Sequence, residues 1–289
     1  MKKRFVYCCF LVYALINIAS CSHPSAQTPP SNPSNRLSLL NEATFGEEFD
    51  FSPLPTTNPQ TESFWDVTNV DVSRIDLSKR LIAFTFDDAP SSTLENVLAV
   101  FASFNESNPD CIATASLFCN GNRMDSSSLS ALSAAVTLGW ELGNHTYSHP
   151  DVTTISLSQF QTEVKNTENL LTQIDGKKSH LFRAPYGRIN AEIKQAVDVP
   201  IIDWTIDTLD WTNATPDEIY DVVFQQKFAG AIVLMHDGYP NTVTALKRLL
   251  PDLKNAGYQV TSVSQMAKAH QCPLKKGGAY IRARKQGNG

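Results

Sequence analysis

The chain of 289 residues lacks any long run of positive charge. Its 24 Lys and Arg are outnumbered by 29 Asp and Glu, the formal net charge is -5, and the C-terminal basic clusters are the short Lys275-Lys276 and the stretch from Arg282 to Lys285. A face that grips phosphate backbones needs concentrated cations, so nucleic acid is excluded as an expected partner. Nor does a glycine-rich phosphate loop follow the first buried strand, which runs instead into Asp87-Asp88-Ala89-Pro90. Dinucleotide and nucleotide sites on open α/β sheets depend on such a loop, and that class loses its support. A third absence is an apolar run of membrane-spanning length. The stretch from Phe5 to Ile18 is almost wholly apolar, but it is only about 14 residues long where a spanning helix needs about 20.

That short run follows the basic Met1-Lys2-Lys3-Arg4, which together read as an export signal over residues 1–20. It ends in Ile18-Ala19-Ser20-Cys21, an aliphatic residue, two small residues and a cysteine. The pattern resembles the lipobox of bacterial lipoproteins and predicts lipidation at Cys21, with the exported protein anchored to a membrane of the cell envelope. An ordinary cleaved signal with a secreted product is the alternative. Residues 21–63, crowded with Pro, Ser, Asn and Thr, read as a disordered tether. Residues 64–289 are long enough for one sizeable core and are expected to form a single, monomeric catalytic-sized domain.

Within that domain, strand-like and helix-like segments alternate. The run from Leu81 to Phe86 is nearly continuously apolar and rich in aromatic and β-branched residues, as expected of a strand covered on both faces. From Thr93 to Phe104 the apolar residues recur at three and four, a helical stripe. The alternation continues with strands at 112–118, 140–142, 180–182, 200–204, 231–235 and 258–261 and helices at 127–138, 158–174, 190–197, 215–228, 241–255 and 262–269. About seven strand–helix pairs imply parallel pairing with right-handed crossovers, and the missing phosphate loop favours a barrel over an open sheet.

In such a barrel, functional groups gather at the carboxyl ends of the strands. Asp87 and Asp88 follow the first strand, His145 and His149 the third, Arg183 the fourth, Asp207 and Asp210 the fifth, and His236 and Asp237 the sixth. All fall on one rim. Two His at i and i+4 on one helical turn would suit two nitrogen ligands of a divalent metal, with a carboxylate such as Asp88 completing the set. The spacing alone fits two solvated loop histidines equally well, and an Asp-Asp pair at a strand end also fits a turn or a helix cap.

Five segments in order, TFDDAP (85–90), HTYSH (145–149), RAPYG (183–187), DTLDW (207–211) and LMHDG (234–238), resemble the motifs of polysaccharide deacetylases, carbohydrate esterase family 4 or NodB-homology domains. The resemblance implies an α/β fold of the distorted (β/α)7 barrel type. It implies a metal triad of Asp88, His145 and His149, with Asp87 as general base and Arg183 orienting it. His236 is implied as general acid, held and tuned by Asp207. Pro185 and Tyr186 would line the substrate groove, with the Tyr186 backbone N–H in an oxyanion hole, and Trp211 and Leu234 would shape the pocket for the acetyl methyl. Zinc suits two His and one Asp, and cobalt, nickel or manganese can serve. The activity implied is removal of acetyl groups from N-acetylated amino sugars in a polysaccharide, peptidoglycan or another envelope glycan first. An O-acetyl xylan or chitin esterase, or a non-catalytic glycan-binding lipoprotein on the same fold, are the alternatives.

One position departs from the family pattern: Ala89 stands where Gly is usual. If that site needs a positive φ, Ala costs on the order of 1 kcal/mol. Three of the six cysteines, Cys111, Cys119 and Cys272, lie in the exported domain, and an odd number leaves one unpaired. Cys111 and Cys119 bracket a strand that holds them about 20 Å apart, beyond disulfide reach. The bridge expected, if one forms, is Cys111 to Cys272.

Overall fold

The structure is a computed structural model that describes residues 63–283. The predicted signal, the lipidation site Cys21 and the tether up to residue 62 lie outside the described residues. Strand β1 (Arg80–Ala89) is buried at every position from Leu81 to Asp87, because helices or sheet neighbours cover both of its faces. It is followed in chain order by α1 (Leu94–Ser107), β2 (Ser116–Cys119), α2 (Leu129–Thr137), β3 (Glu141–Asn144), α3 (Leu157–Asp175), β4 (Leu181–Phe182), α4 (Ala191–Ala196), β5 (Ile201–Ile202), β6 (Ile206–Asp207), α5 (Pro216–Gln226), β7 (Ile232–His236), α6 (Pro240–Asn255), β8 (Tyr258–Thr261), α7 (Val263–Ala269) and β9 (Ala279–Tyr280). Side-chain caps mark several helix starts. Ser156 with Gln159, Thr215 with Glu218 and Ser262 with Gln265 each form a reciprocal capping box, which satisfies N–H groups that the first turn leaves free.

The named strands pair in parallel in the order β6-β7-β1-β2-β3-β4-β5-β9, with β8 beside the first half of β1. The sheet curls into a half-barrel. The run from Ile201 to Asp207 pairs with β4 and β9 at its start and with β7 at its end. Between them the Asp203 N–H donates to the Tyr280 carbonyl and the Thr205 N–H to the Ile232 carbonyl. One short stretch thus reaches both edges of the curl, and the architecture is the distorted (β/α) barrel expected.

Two strands escape the sequence reading. β6 and β9 are two residues each, too short to display a period of two. The strand expected at 112–118 begins only at Ser116, because β8 already occupies the place beside Arg80 to Ala83. Residues upstream are tied off otherwise: Ala113 exchanges hydrogen bonds with the Asn105 side chain, and the Thr114 N–H donates to the Val260 carbonyl.

The largest core cluster lies between the sheet and the helices α1, α2, α5 and α6. At its centre Trp140 stacks on Phe86 at 5.8 Å and meets Phe101 edge-on at 4.6 Å. The expected Cys111–Cys272 bridge does not form: the three cysteines of the described residues are buried and none is in a disulfide. The Cys111 thiol faces the Tyr258 carbonyl at 3.9 Å, whereas Cys272 packs with Leu81, Ala83, Val263 and Met266 in a separate cluster. Replacing Phe101, which is fully buried, by Ala should lower stability by about 3–5 kcal/mol. Urea unfolding followed by tryptophan fluorescence measures this, and a loss under about 1 kcal/mol would show that the α1 face is not the core it looks to be.

Candidate active site

Consecutive side chains on a flat strand point to opposite faces, so Asp87 and Asp88 should not reach one site. The pairing of β1 with β2 shows how they do. Phe86 sits opposite Leu117 and Ala89 opposite Cys119, so three steps along β1 match two along β2. The extra residue is a bulge, which re-aims a side chain, and Asp88 carries it with φ of 63°. Asp87 Oδ2 then lies 3.6 Å from His145 Nε2, and Asp88 Oδ1 lies 3.4 Å from His149 Nε2. The strain expected at Ala89 is absent, since the positive φ falls on Asp88. Aspartate tolerates that region better than most side chains, and Ala89 is packed in the core.

His145 and His149 converge, but not on a helical turn. They belong to a loop after β3 in which Thr146 and His149 both have positive φ, 67° and 59°. Asn144 Oδ1 accepts from the Thr146 N–H, and Glu163 on α3 accepts from the N–H groups of Tyr147 and Ser148 at 2.8 and 2.6 Å and from the Ser148 hydroxyl at 2.7 Å. Gly121 packs so close that a Cβ there would collide with the Tyr147 ring and come within 2.7 Å of Thr167 Oγ1. The His145 Nδ1–H donates to the Arg183 carbonyl at 2.8 Å, which assigns the proton and leaves Nε2 facing the carboxylates. Burial pulls the His145 imidazole below its usual pKa despite the nearby Asp87 carboxylate, and a neutral ring is what a metal requires.

Asp88, His145 and His149 offer ligand atoms that all lie within 4.8 Å of one another. Asp88 Oδ1 is buried without a hydrogen-bond partner, an acceptor that a cation would satisfy. The donor set of two imidazoles and one carboxylate fits a zinc-like divalent ion with open positions.

Beside this cluster stand two buried charge pairs. Arg183 is fully buried and donates to Asp87 Oδ1 at 2.6 Å, to Thr85 Oγ1 at 2.8 Å and to the carbonyls of Ile202 and Asp203. Burial pushes the Asp87 carboxyl up, but Arg183, His145 and His236 outweigh it and hold the group below the usual carboxylate range. His236, at the end of β7, donates from Nδ1 to Asp210 Oδ1 at 2.7 Å. Burial alone would lower its pKa, yet the Asp210 hydrogen bond and charge, with Asp87 and Asp88 adding to them, raise it to about 9.

Here the structure corrects the expected partner. Asp207, predicted to hold His236, instead accepts from the Leu209 N–H at 2.9 Å, and burial raises its carboxyl to about 6. The short turn Asp210–Thr212 carries Asp210 under the end of β7, where Oδ2 also accepts from the His236 N–H at 2.8 Å and the Thr242 hydroxyl at 2.7 Å. Both aspartates of DTLDW were legible as rim residues; a spacing of three cannot tell which one faces the histidine.

Of the expected substrate-side residues, Tyr186 is 61% exposed with φ of 60°, its ring edge-on to His149 at 4.6 Å. Trp211 is 52% exposed. Pro185 and Leu234 are buried, Leu234 within β7 between Val233 and Met235. Sequence reasoning passed over Tyr147, an exposed aromatic between the two histidines, and the polar residues Asn144 and Glu163 that pin the loop. Only Tyr147 carried a signal, its place inside HTYSH.

The chain carries a curled parallel α/β half-barrel with these groups on one rim, and residues 74–199 match the family model described as polysaccharide deacetylase. Among the relatives, a bifunctional xylanase/deacetylase of Pseudobutyrivibrio xylanivorans is 32% identical over 192 residues, 65% of this chain and 31% of that protein. The peptidoglycan-N-acetylmuramic acid deacetylase PdaC of Bacillus subtilis is 30% identical over 193 residues, 66% of this chain and 40% of that protein. The matched region therefore spans well under half the length of these curated relatives. The solved Xyl-CE4 domain of a multidomain xylanase from the hindgut metagenome of Trinervitermes trinervoides superposes with a TM-score of 0.66 at 29% identity, covering 72% of this chain and all of that one.

The His236–Asp210 pair has a measurable signature. Because the folded pKa of about 9 stands above the ordinary value of about 6.5, the pair's contribution to stability is complete below about pH 6.5 and is lost as pH rises through about 9. In histidine NMR titrations, Asp210→Asn should bring the His236 pKa down toward the ordinary value, while Asp207→Asn should leave it high. The reverse ranking would return the tuning role to Asp207.

Proposed function

We propose that this protein is a metal-dependent hydrolase that removes acetyl groups from N-acetylated amino sugars in an envelope polysaccharide, peptidoglycan being the first candidate. The observation that carries the reading is the company on one rim: the Asp88, His145 and His149 cluster lies beside a carboxylate held ionised by Arg183 and an imidazole held protonated by Asp210. Amide hydrolysis needs a base and an acid in opposite protonation states at the same pH. Asp87, below the usual carboxylate range, and His236, raised to about 9, provide that split.

A divalent ion held by Asp88, His145 and His149 would supply Lewis acidity for the acetyl carbonyl and for an attacking water; zinc matches the donor set, and cobalt, nickel or manganese could serve. Asp87, its Oδ1 held by Arg183, presents Oδ2 on the side of His145 and takes a proton from the water as the new C–O bond forms. The Tyr186 N–H stabilises the charge that develops on the carbonyl oxygen. His236 then delivers a proton to the nitrogen as the C–N bond breaks, giving acetate and a free amine. Trp211 and Leu234 bound the space for the acetyl methyl. Exposed Tyr147, Tyr186 and Trp211 on the rim loops offer apolar faces to sugar rings.

Acetylated xylan is the second reading, favoured by the xylanase/deacetylase relative. No helix among the described residues is long and apolar enough to cross a membrane. Export, with an anchor on a lipidated Cys21, is part of the proposal and rests on the N-terminal sequence pattern.

The test is acetate release from a panel of peptidoglycan, chito-oligosaccharides and acetylated xylan. Activity should vanish with chelator and return with zinc or cobalt, and it should fall as pH rises through about 9 with loss of the His236 proton. Asp87→Asn should lower kcat by about 10²- to 10⁴-fold with metal still bound. Release from no member of the panel after metal is restored would leave a glycan-binding protein on a deacetylase fold.

A further inference from the structure

The three proposed ligands come from two separate chain segments: Asp88 from the end of β1 and the two histidines from the loop after β3. Regular backbone pairing alone does not set the gap between those segments, because Asp88 sits in the bulge of β1 and the histidines in the loop after β3. The segment linking them is Asn120 to Arg123, just past β2.

Its donors are turned to both sides. Toward β1, the Asn120 N–H donates to the Ala89 carbonyl at 2.8 Å, and Arg123 Nη1 donates to the Asp88 carbonyl at 3.1 Å. Toward the histidine loop, Asn120 Nδ2 donates to the His145 carbonyl at 2.7 Å, the Gly121 N–H to Thr146 at 3.1 Å and the Asn122 N–H to Tyr147 at 2.9 Å. Arg123 also sets Nη2 3.6 Å from Asp88 Oδ2, so it takes the outer carboxylate oxygen while Oδ1 faces the histidines. The Asp88 carbonyl that Arg123 grips belongs to the residue with φ of 63°, the conformation on which the reach of the carboxylate depends.

We propose that Asn120–Arg123 is a bracket that holds the carboxylate and imidazole halves of the metal site at ligating distance, with Arg123 as its positioning residue. The inference rests on the reading of Asp88, His145 and His149 as metal ligands. Partners outside a ligand set commonly change metal affinity by about 10- to 100-fold when removed. A guanidinium has the fork geometry to hold a carbonyl and a carboxylate oxygen together, which an ammonium lacks.

The test uses the full chain, stripped of metal and titrated with cobalt(II) alone, followed by calorimetry and by the visible absorption of the bound ion. Arg123→Ala should weaken cobalt binding by about 10- to 100-fold and shift the absorption bands, with the metal-free melting temperature little changed. Arg123→Lys should recover part of the affinity at most. Unchanged affinity overturns the proposal, including where the melting temperature falls, since that is a structural role only. Tighter binding overturns it as well, because the guanidinium would then be repelling the ion. If the unaltered chain binds no cobalt, the metal reading itself fails and takes this inference with it.

Discussion

The buried Arg183 guanidinium is the constraint from which the rest of the site takes its geometry. Removing a charge from water costs several kcal/mol unless every donor finds a partner, and Arg183 meets that condition by reaching across the barrel interior. It binds Asp87 and Thr85 on β1 and the carbonyls of Ile202 and Asp203 at the crossing from β5 to β6. Phe118 covers the guanidinium face at 4.1 Å. The Arg183 carbonyl fixes the tautomer of His145. One position therefore sets the ionisation of the proposed base and the ligand face of a proposed metal imidazole. Its side chain also links β1 to the short run that closes the curl.

Around this anchor the backbone is strained where the chemistry is proposed. Asp88, Thr146, His149, Tyr186 and Leu209 are all non-glycine residues with positive φ; Asp88 sits in the bulge near the end of β1, and the others follow strand ends on the same rim. Such conformations cost on the order of 1–3 kcal/mol each and persist only where the surroundings over-determine them. The surroundings do so at Thr146. Its N–H is taken by Asn144, its carbonyl by Gly121 and its hydroxyl by the His149 N–H. Dense hydrogen bonding lets a β-branched residue sit where it otherwise would not, and two histidines meet as a result.

How far the site was legible in the sequence depended on the range of the interaction. β1 was legible because a strand covered on both faces must be continuously apolar, and its abrupt end in two aspartates placed them on the rim. The rim position of His145, His149, Arg183, Asp207, Asp210 and His236 followed from the alternation of elements. The partner of His236 did not, because Asp207 and Asp210 are three residues apart and only the turn after β6 decides which one passes under β7. The Ala89 question arose from the family pattern, which has Gly at that position. A bulge set by pairing with β2 moved the strained position back by one residue.

The order of strands and helices, the rim they define and the residue types gathered there were determined by the sequence, since apolar period and strand-end placement are local properties of the chain. The tertiary structure alone decided which carboxylate pairs with which imidazole, where the backbone turns left-handed, and that Cys111 and Cys272 stay apart. Those outcomes turn on contacts of a few ångströms between segments tens to hundreds of residues apart. No local pattern encodes such distances; the packing of β1 against β2, β7 and β8 does.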